Sequence, residues 1–164
     1  VVDNMSDRIP RVSQYGSVDP APPSNIGDIE IWKKSLIDDE IPMFQRMRNL
    51  FSLRNDGSDE SCLALCHGFK SSSALLRHEL AYVLGQMQNP IALPHLVERL
   101  SDVKEHIMVR HEAAEAMGAI GDQSIRSVLQ EFCYDENPEV SESCEVALDL
   151  LDWCKTKEWE ENNL

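Results

Sequence analysis

The fold is decided by a short string that occurs twice in the chain, Leu76-Arg77-His78-Glu79-Leu80-Ala81 and Val109-Arg110-His111-Glu112-Ala113-Ala114. The two copies lie 33 residues apart, and the match continues into the next turns, where Gly85 corresponds to Gly118 and Asn89 to Asp122. A repeat of this length indicates a helix–turn–helix unit that stacks against copies of itself.

Helical periodicity extends on both sides of the repeated string. Apolar residues recur at steps of three and four, and no long stretch alternates with period two as a half-buried strand would. Weaker copies of the string occur at 44–48 and 140–144, and Pro42, Pro90 and Pro138 stand where helices begin. The sequence therefore predicts an all-α fold, an α-solenoid of four helix pairs. The expected helices span residues 29–38, 42–54, 58–69, 73–87, 91–101, 107–120, 123–133 and 138–155.

The domain organisation follows from where proline and glycine concentrate. Residues 1–27 contain Pro10, Pro20, Pro22 and Pro23 with few large apolar side chains, so we expect an extended linker. Residues 28–156 hold the four repeats, and 157–164 form a polar tail. We expect Trp153 and Trp159 to cover the exposed end of the last repeat, as a solenoid cap must. Because the chain opens on Val1 rather than on a start residue, we expect it to be part of a longer protein.

Composition narrows the class of protein. The formal net charge is −14 at pH 7, which argues against binding to a nucleic-acid backbone, because phosphate recognition needs an excess of basic residues. No apolar run approaches the roughly 18 residues of a membrane helix, and residues 1–14 do not resemble a signal peptide. Five irregularly spaced cysteines favour reduced thiols. We expect a cytoplasmic protein with no nucleic-acid or membrane partner.

The two His-Glu pairs are the candidate chemical site. Equivalent residues of successive repeats stand side by side on neighbouring helices, whose axes are about 10 Å apart. His78 and His111 can therefore converge on one metal ion, and Glu112 can add an oxygen ligand, the two-histidine, one-carboxylate set of non-haem iron. Aligning the flanking repeats places Arg46-Met47 and Glu142-Ser143 at the matching positions, so the pairs are confined to the two central units. The alternative is a polar solenoid face that binds no metal.

Other polar residues favour structural roles. Cys62, Cys66 and His67 form a Cys-x3-Cys-His cluster, but the i, i+4 spacing of the cysteines fits the buried face of a helix better than a zinc site. His95 and His106 fall near helix and loop ends and are expected to be solvated. Arg77 and Arg110, which precede the His-Glu pairs, are expected to bind neighbouring carboxylates.

Two long strings resemble the deoxyhypusine hydroxylase family, and they span residues 77–88 and 108–121. Residues 17–23 resemble the linker between the two halves of that family, residues 50–55 its first helix pair, and residues 142–149 its last repeat. The resemblance implies eight HEAT-like repeats in two pseudosymmetric halves, each half offering two His-Glu pairs to a central di-iron centre. This chain is similar to the C-terminal half with the connecting linker.

The same resemblance implies the reaction and the partners. Family members use O2 to hydroxylate the deoxyhypusine side chain of translation initiation factor 5A. His78, His111 and Glu112 match the ligands of one iron. Glu79 matches an acidic position that we assign to the substrate amine or to an outer contact of the metal ligands, with a ligand role as the alternative. The N-terminal half, whose His-Glu pairs are not in this sequence, would be the partner that completes the di-iron centre.

Three functions therefore remain open at the level of sequence. The first is the C-terminal half of a non-haem di-iron monooxygenase. The second is a HEAT-repeat scaffold that binds a basic protein partner without chemistry, and the third is a lyase-associated HEAT protein of the phycobilin type. The net charge of −14 favours a basic protein substrate or partner, and it also serves plain solubility.

Overall fold

The structure is a computed structural model that describes residues 18–156 and 160–161. The part of the chain from residue 29 to residue 153 folds into eight α-helices joined by short turns, and the described residues contain no β-strand. This confirms the predicted all-α solenoid. The helices are α1 (Ile29–Ser35), α2 (Met43–Asp56), α3 (Asp59–His67), α4 (Ala74–Met87), α5 (Leu93–Ser101), α6 (Ile107–Ile120), α7 (Arg126–Phe132) and α8 (Pro138–Trp153).

The helices form two layers. The even-numbered helices pack side by side in the order α2, α4, α6 and α8, while α1, α3, α5 and α7 lie against their outer side. The core between the layers is aliphatic, with fully buried leucines contributed by six of the helices: Leu50, Leu53, Leu65, Leu76, Leu80, Leu84, Leu96, Leu100, Leu129 and Leu151. Each helix pair thus buries its apolar stripe against its neighbours, as in a solenoid.

Helix ends differ from the sequence prediction mainly at α5 and α7. The expected first turns of these helices are 3₁₀ turns, Pro90–Ala92 and Gln123–Ile125. The side chain of Asn89 accepts a hydrogen bond from the backbone N–H of Ile91, and Asp122 accepts one from Ser124. These short caps tighten the chain into a 3₁₀ turn before the α-helix begins. Helix α1 ends at Ser35, three residues earlier than expected.

Two glycines allow the even-numbered helices to approach closely. A Cβ atom added at Gly85 of α4 would lie 3.0 Å from the Cα of Ala116 on α6, and one added at Gly118 of α6 would lie 2.9 Å from the Cα of Ala147 on α8. The atoms that it would meet are backbone and Cβ atoms, which cannot rotate away. The repeated glycine is therefore required by helix packing rather than by a turn.

Buried arginines join the repeats beside the His-Glu pairs. Arg77 of α4 binds the carboxylate of Glu105 in the loop before α6 with an Nη2–Oε1 distance of 2.7 Å, a contact that we call the Arg77–Glu105 clamp. Arg110 of α6 binds Asp135 in the loop before α8 with an Nη2–Oδ2 distance of 2.5 Å. The prediction that these two arginines pair with carboxylates is confirmed.

The arginine contacts also correct the alignment of the first repeat. Arg46 of α2 donates to the backbone oxygen of Leu36, just after α1, as Arg110 donates to that of Leu100 in α5. Arg46 is therefore equivalent to Arg110. Met47 and Arg48, rather than Arg46 and Met47, occupy the places of histidine and glutamate, because the first repeat is shorter than the 33-residue period.

The described part of the expected linker lies against α2. The backbone N–H of Ser24 donates to the oxygen of Arg48 at 3.2 Å, and the hydroxyl of Ser52 donates to the oxygen of Ser24 at 2.8 Å. Asp19 forms an ion pair with Arg54 at 2.8 Å. The domain boundaries stay a prediction, since residues 1–17, 157–159 and 162–164, including the expected cap residue Trp159, lie outside the described residues.

No helix in the described segments 18–156 and 160–161 has both the length and the apolar character needed to cross a membrane.

Candidate metal centre

The stacking of α4 on α6 brings the two predicted histidines face to face. The ring centroids of His78 and His111 are 6.5 Å apart, and the ring planes differ by 20°. Both side chains are partly exposed, His78 at 28% and His111 at 21%, on the open side of the even-numbered helices. Equivalent positions of successive repeats thus become neighbours, as the 33-residue period predicts.

Glu112 places a carboxylate between the two imidazoles. Its Oε2 lies 3.1 Å from Nε2 of His78 and 3.5 Å from Nε2 of His111. One potential ligand atom from each of the three residues lies within 4.8 Å of the other two. Ligand atoms on one ion, with bonds of about 2.1 Å, can be at most about 4.2 Å apart, so a sub-ångström adjustment of the side chains brings all three into range.

The electrostatics of Glu112 fit a bound cation. Burial, together with the nearby charges of Glu115 and Glu79 and against an opposing contribution from His111, raises the pKa of its carboxyl group to about 7. Among the residues that the structure describes, no lysine or arginine lies within 4.0 Å of this carboxylate. A buried carboxylate is costly unless it is neutralised or paired, and a metal ion held by neutral imidazoles would supply the missing charge.

Ser143 on α8 orients His111. The Ser143 Oγ lies 2.7 Å from Nδ1 of His111 and donates its own hydrogen to the backbone oxygen of Glu139 at 2.6 Å. With its hydrogen committed to Glu139, the Ser143 oxygen accepts from Nδ1–H of His111. The lone pair of His111 is then on Nε2, which points toward Glu112, and such an outer contact is typical of a ligating histidine. Sequence reasoning placed Ser143 in the last repeat but missed this role.

His78, His111 and Glu112 form what we call the three-donor group. Glu79 lies beside this group and not within it. Its Oε2 is 4.0 Å from Nδ1 of His78, the ring nitrogen that faces away from Glu112. Its side chain is 14% exposed. Burial raises the pKa of the Glu79 carboxyl group, the charge of His78 lowers it, and Asp19 raises it again. The geometry therefore leaves Glu79 available to a cation other than the one that the histidines would hold.

An open cavity of about 440 Å³ adjoins the three-donor group. Its walls include Glu112, Glu115 and the side chains of Tyr82 and Gln86 on α4. The remaining lining residues are Gly85, Gln88, Ala116 and Ala119, so the cavity runs along the line where α4 and α6 meet.

The features that sequence analysis set aside remain outside this site. Cys62 and Cys66 are buried on α3, with His67 partly exposed beside them, and the described residues place no metal-binding group there. His106 is exposed and caps α6 by accepting the backbone N–H of Met108 at Nδ1. His95 is partly exposed on α5.

Comparisons with known proteins agree with the fold. A family model described as HEAT repeats matches residues 63–149. In sequence, the chain is 47% identical over 152 residues to a deoxyhypusine hydroxylase of Candida albicans, an alignment that covers 90% of this chain and 48% of the relative. The human deoxyhypusine hydroxylase is 46% identical over 143 residues, covering 87% of this chain and 47% of the relative.

A solved structure extends the same comparison to three dimensions. The chain matches a structure of human deoxyhypusine hydroxylase in complex with glycerol with a TM-score of 0.80 and 46% sequence identity, covering 88% of this chain and 50% of the other. The predicted resemblance is therefore confirmed. The chain spans about half the length of the relatives that it matches.

Proposed function

We propose that this chain, which belongs to the HEAT-repeat family, is the C-terminal half of an iron-dependent monooxygenase that hydroxylates deoxyhypusine in translation initiation factor 5A. The observation that carries the proposal is the meeting of His78, His111 and Glu112 within 4.8 Å. Its support is the 46–48% identity to deoxyhypusine hydroxylases over the segment that contains these residues.

The donor set suits iron. Two neutral imidazoles and one carboxylate bind Fe²⁺ and leave coordination positions open. When bound, the iron supplies the activation of O2 that hydroxylation requires. The chain supplies the arrangement: His78 and Glu112 present their ligand atoms from adjacent helices, and Ser143 holds His111 in the tautomer whose Nε2 is free.

Glu79 is the residue that we assign to the substrate. Its carboxylate is largely buried, and burial raises its pKa. Pairing with a cation would stabilise this carboxylate strongly because little water screens the interaction. A protonated substrate amine bound there would hold the side chain next to the three-donor group. Direct ligation by Glu79 is the alternative that the experiment below distinguishes.

The second half of the centre must come from outside this sequence. His78, His111 and Glu112 complete one ligand set, so a di-iron centre requires a second set from an N-terminal half that faces these helices. The net charge of −14 would attract a basic protein substrate to the open side of the solenoid. We place the reaction in the cytoplasm, where cysteines stay reduced.

The test is incorporation of oxygen into the substrate. The chain is loaded with Fe²⁺ and assayed with and without the N-terminal half, using the deoxyhypusine-containing factor and isotopically labelled O2. Mass spectrometry should show one labelled oxygen atom in the modified side chain, only when both halves are present. A chain that binds the factor but holds no iron and transfers no oxygen would instead be a HEAT-repeat scaffold.

Single-residue variants test the role proposed for each residue of the site. His78→Ala should lose iron and product together, whereas Glu79→Gln should keep iron and lose product. Loss of iron in Glu79→Gln would make Glu79 a ligand. His95→Ala, a histidine on the outer helix α5, is the matched control and should change neither.

A further inference from the structure

We propose that the Arg77–Glu105 clamp is a positioning device for the metal centre, which sets the register of α6 against α4 so that the ligand atoms meet. The inference rests on the proposed metal site. It assigns a role to two residues that bind neither metal nor substrate.

The carboxylate of the clamp is buried, its arginine is 15% exposed, and both make several hydrogen bonds. The Glu105 side chain is 2% exposed. It accepts from Nε of Arg77 at 2.9 Å and from Nη2 of Arg77 at 2.7 Å. It also accepts from Arg99 at 3.2 Å and from the backbone N–H of His106 at 2.6 Å. Arg77 is held in turn by the backbone oxygen of Ser71 at 2.8 Å. Both partners are therefore fixed from several directions.

The clamp joins the turn of α4 that carries His78 to the loop that leads into α6. Arg77 immediately precedes His78 on α4, and Glu105 immediately precedes His106, the N-cap residue of α6. The start of α6 is thereby attached to the turn of α4 that bears His78, and His111 follows one turn later. A slip of one residue along a helix moves side chains by about 1.5 Å. Metal–ligand distances tolerate only about 0.2 Å, so the register of α6 decides whether the site exists.

Apolar packing between the two helices does not define this register as sharply. Small residues line the contact, with Gly85 against Ala116 and the buried Ala113 nearby. The stabilisation that contacts between such residues provide depends on the apolar area that they bury and not on the direction of approach. A buried ion pair with a bidentate arginine is directional. Such pairs often add little net stability, and their best-attested role is to fix the register between elements.

Arg77 and Arg110 each precede a histidine, and each binds a carboxylate in the loop of the following repeat. Arg46 of the first pair, which has no histidine after it, binds Asp39 of its own pair, and the Asp39 side chain is 63% exposed. Arg77 instead crosses to the loop of the following repeat. Arg46 reaches the following repeat only through the hydroxyl of Ser71, so an ion pair between repeats is present where a histidine follows the arginine.

The test separates register from stability. The double variant Arg77→Met/Glu105→Gln removes the charges while keeping similar volumes, and Arg126→Met/Asp152→Asn removes the ion pair between α7 and α8 as a control. Co²⁺ is titrated into each protein, and the affinity and the visible absorption spectrum of the Co²⁺ complex are recorded. Urea unfolding of the metal-free proteins is measured in parallel.

We expect the clamp variant to bind Co²⁺ at least about tenfold more weakly than the parent, with an altered spectrum, while the control keeps both. Leu129→Ala, a core variant of α7, serves as a destabilised protein and should keep its Co²⁺ affinity. If the double variant does not fold, Glu105→Asp retains the charge but shortens the side chain, and it should still change the spectrum.

Parental affinity and spectrum in the clamp variants would overturn the inference and leave the metal site intact. Absence of Co²⁺ binding in the parent would overturn both the inference and the proposed function. A loss of affinity in Leu129→Ala equal to that of the clamp variant would show that stability alone controls the site, and would also overturn the inference.

Discussion

Replacement of Glu112 by glutamine should stabilise the metal-free chain while it weakens metal binding. The side chain is 9% exposed, and burial raises its pKa from 4.5 to about 7. Glutamine keeps the shape and a hydrogen-bonding group but carries no charge, so the cost of burying an ionised carboxylate disappears. A residue that costs stability in the absence of metal is expected where a cation is to be bound.

The magnitude follows from the shift in pKa. Each pKa unit corresponds to about 1.4 kcal/mol, so the difference between 4.5 and about 7 sets an upper limit of about 3.5 kcal/mol. Water at the open side of the solenoid reduces this cost, and we expect a gain of about 1 to 2 kcal/mol in the free energy of unfolding.

The difference in stability between Glu112→Gln and the parent depends on pH. The folded pKa of Glu112 lies above its unfolded value of 4.5, so the stability of the parent is highest below pH 4.5 with respect to this group and falls as the pH rises toward about 7. The advantage of Glu112→Gln should therefore be absent near pH 4.5, grow up to about pH 7, and stay constant above it.

Urea unfolding of the metal-free proteins from pH 5 to pH 8 measures this difference, with Glu131→Gln, an exposed carboxylate of the outer helix α7, as the control. If Glu112→Gln is equally or less stable than the parent at pH 8, the burial of the Glu112 carboxylate does not destabilise the metal-free protein, and the reasoning is refuted. Fe²⁺ titration of the same samples should show weaker binding in Glu112→Gln only.

Other perturbations test the rest of the site and the packing. His111→Ala should abolish iron binding, measured by elemental analysis, and leave the helical circular dichroism nearly unchanged, because apolar stripes rather than metal hold the repeats together. Ser143→Ala should weaken Fe²⁺ binding about tenfold by releasing the His111 tautomer, and unchanged binding would remove that role. Gly118→Ala should cost about 1 to 3 kcal/mol in thermal unfolding, because the new Cβ lies 2.9 Å from the Cα of Ala147, and a neutral effect would contradict the close packing of α6 and α8. Chelation of iron from the assembled halves should promote their dissociation in sedimentation, and an iron-dependent dimer of this chain alone would contradict the need for a second half.

The helices were predictable because their signals are local. Apolar spacing and prolines at helix starts depend only on residues within a turn or two of one another. The same period predicted that His78 and His111 would be neighbours, since a repeated unit that cannot bury its apolar face alone must stack.

The sequence by itself thus determined the solenoid, its eight helices and the residue types at the candidate metal centre. The tertiary structure alone decided the outer contacts: Glu105 against Arg77, 28 residues away, and Ser143 against His111, 32 residues away. It also showed that Met47 and Arg48, rather than Arg46 and Met47, stand at the positions of the first repeat that are equivalent to the His-Glu pairs. The physical reason is that helical periodicity specifies which face of a helix is buried, whereas the axial register between helices is set by ion pairs and hydrogen bonds between distant residues.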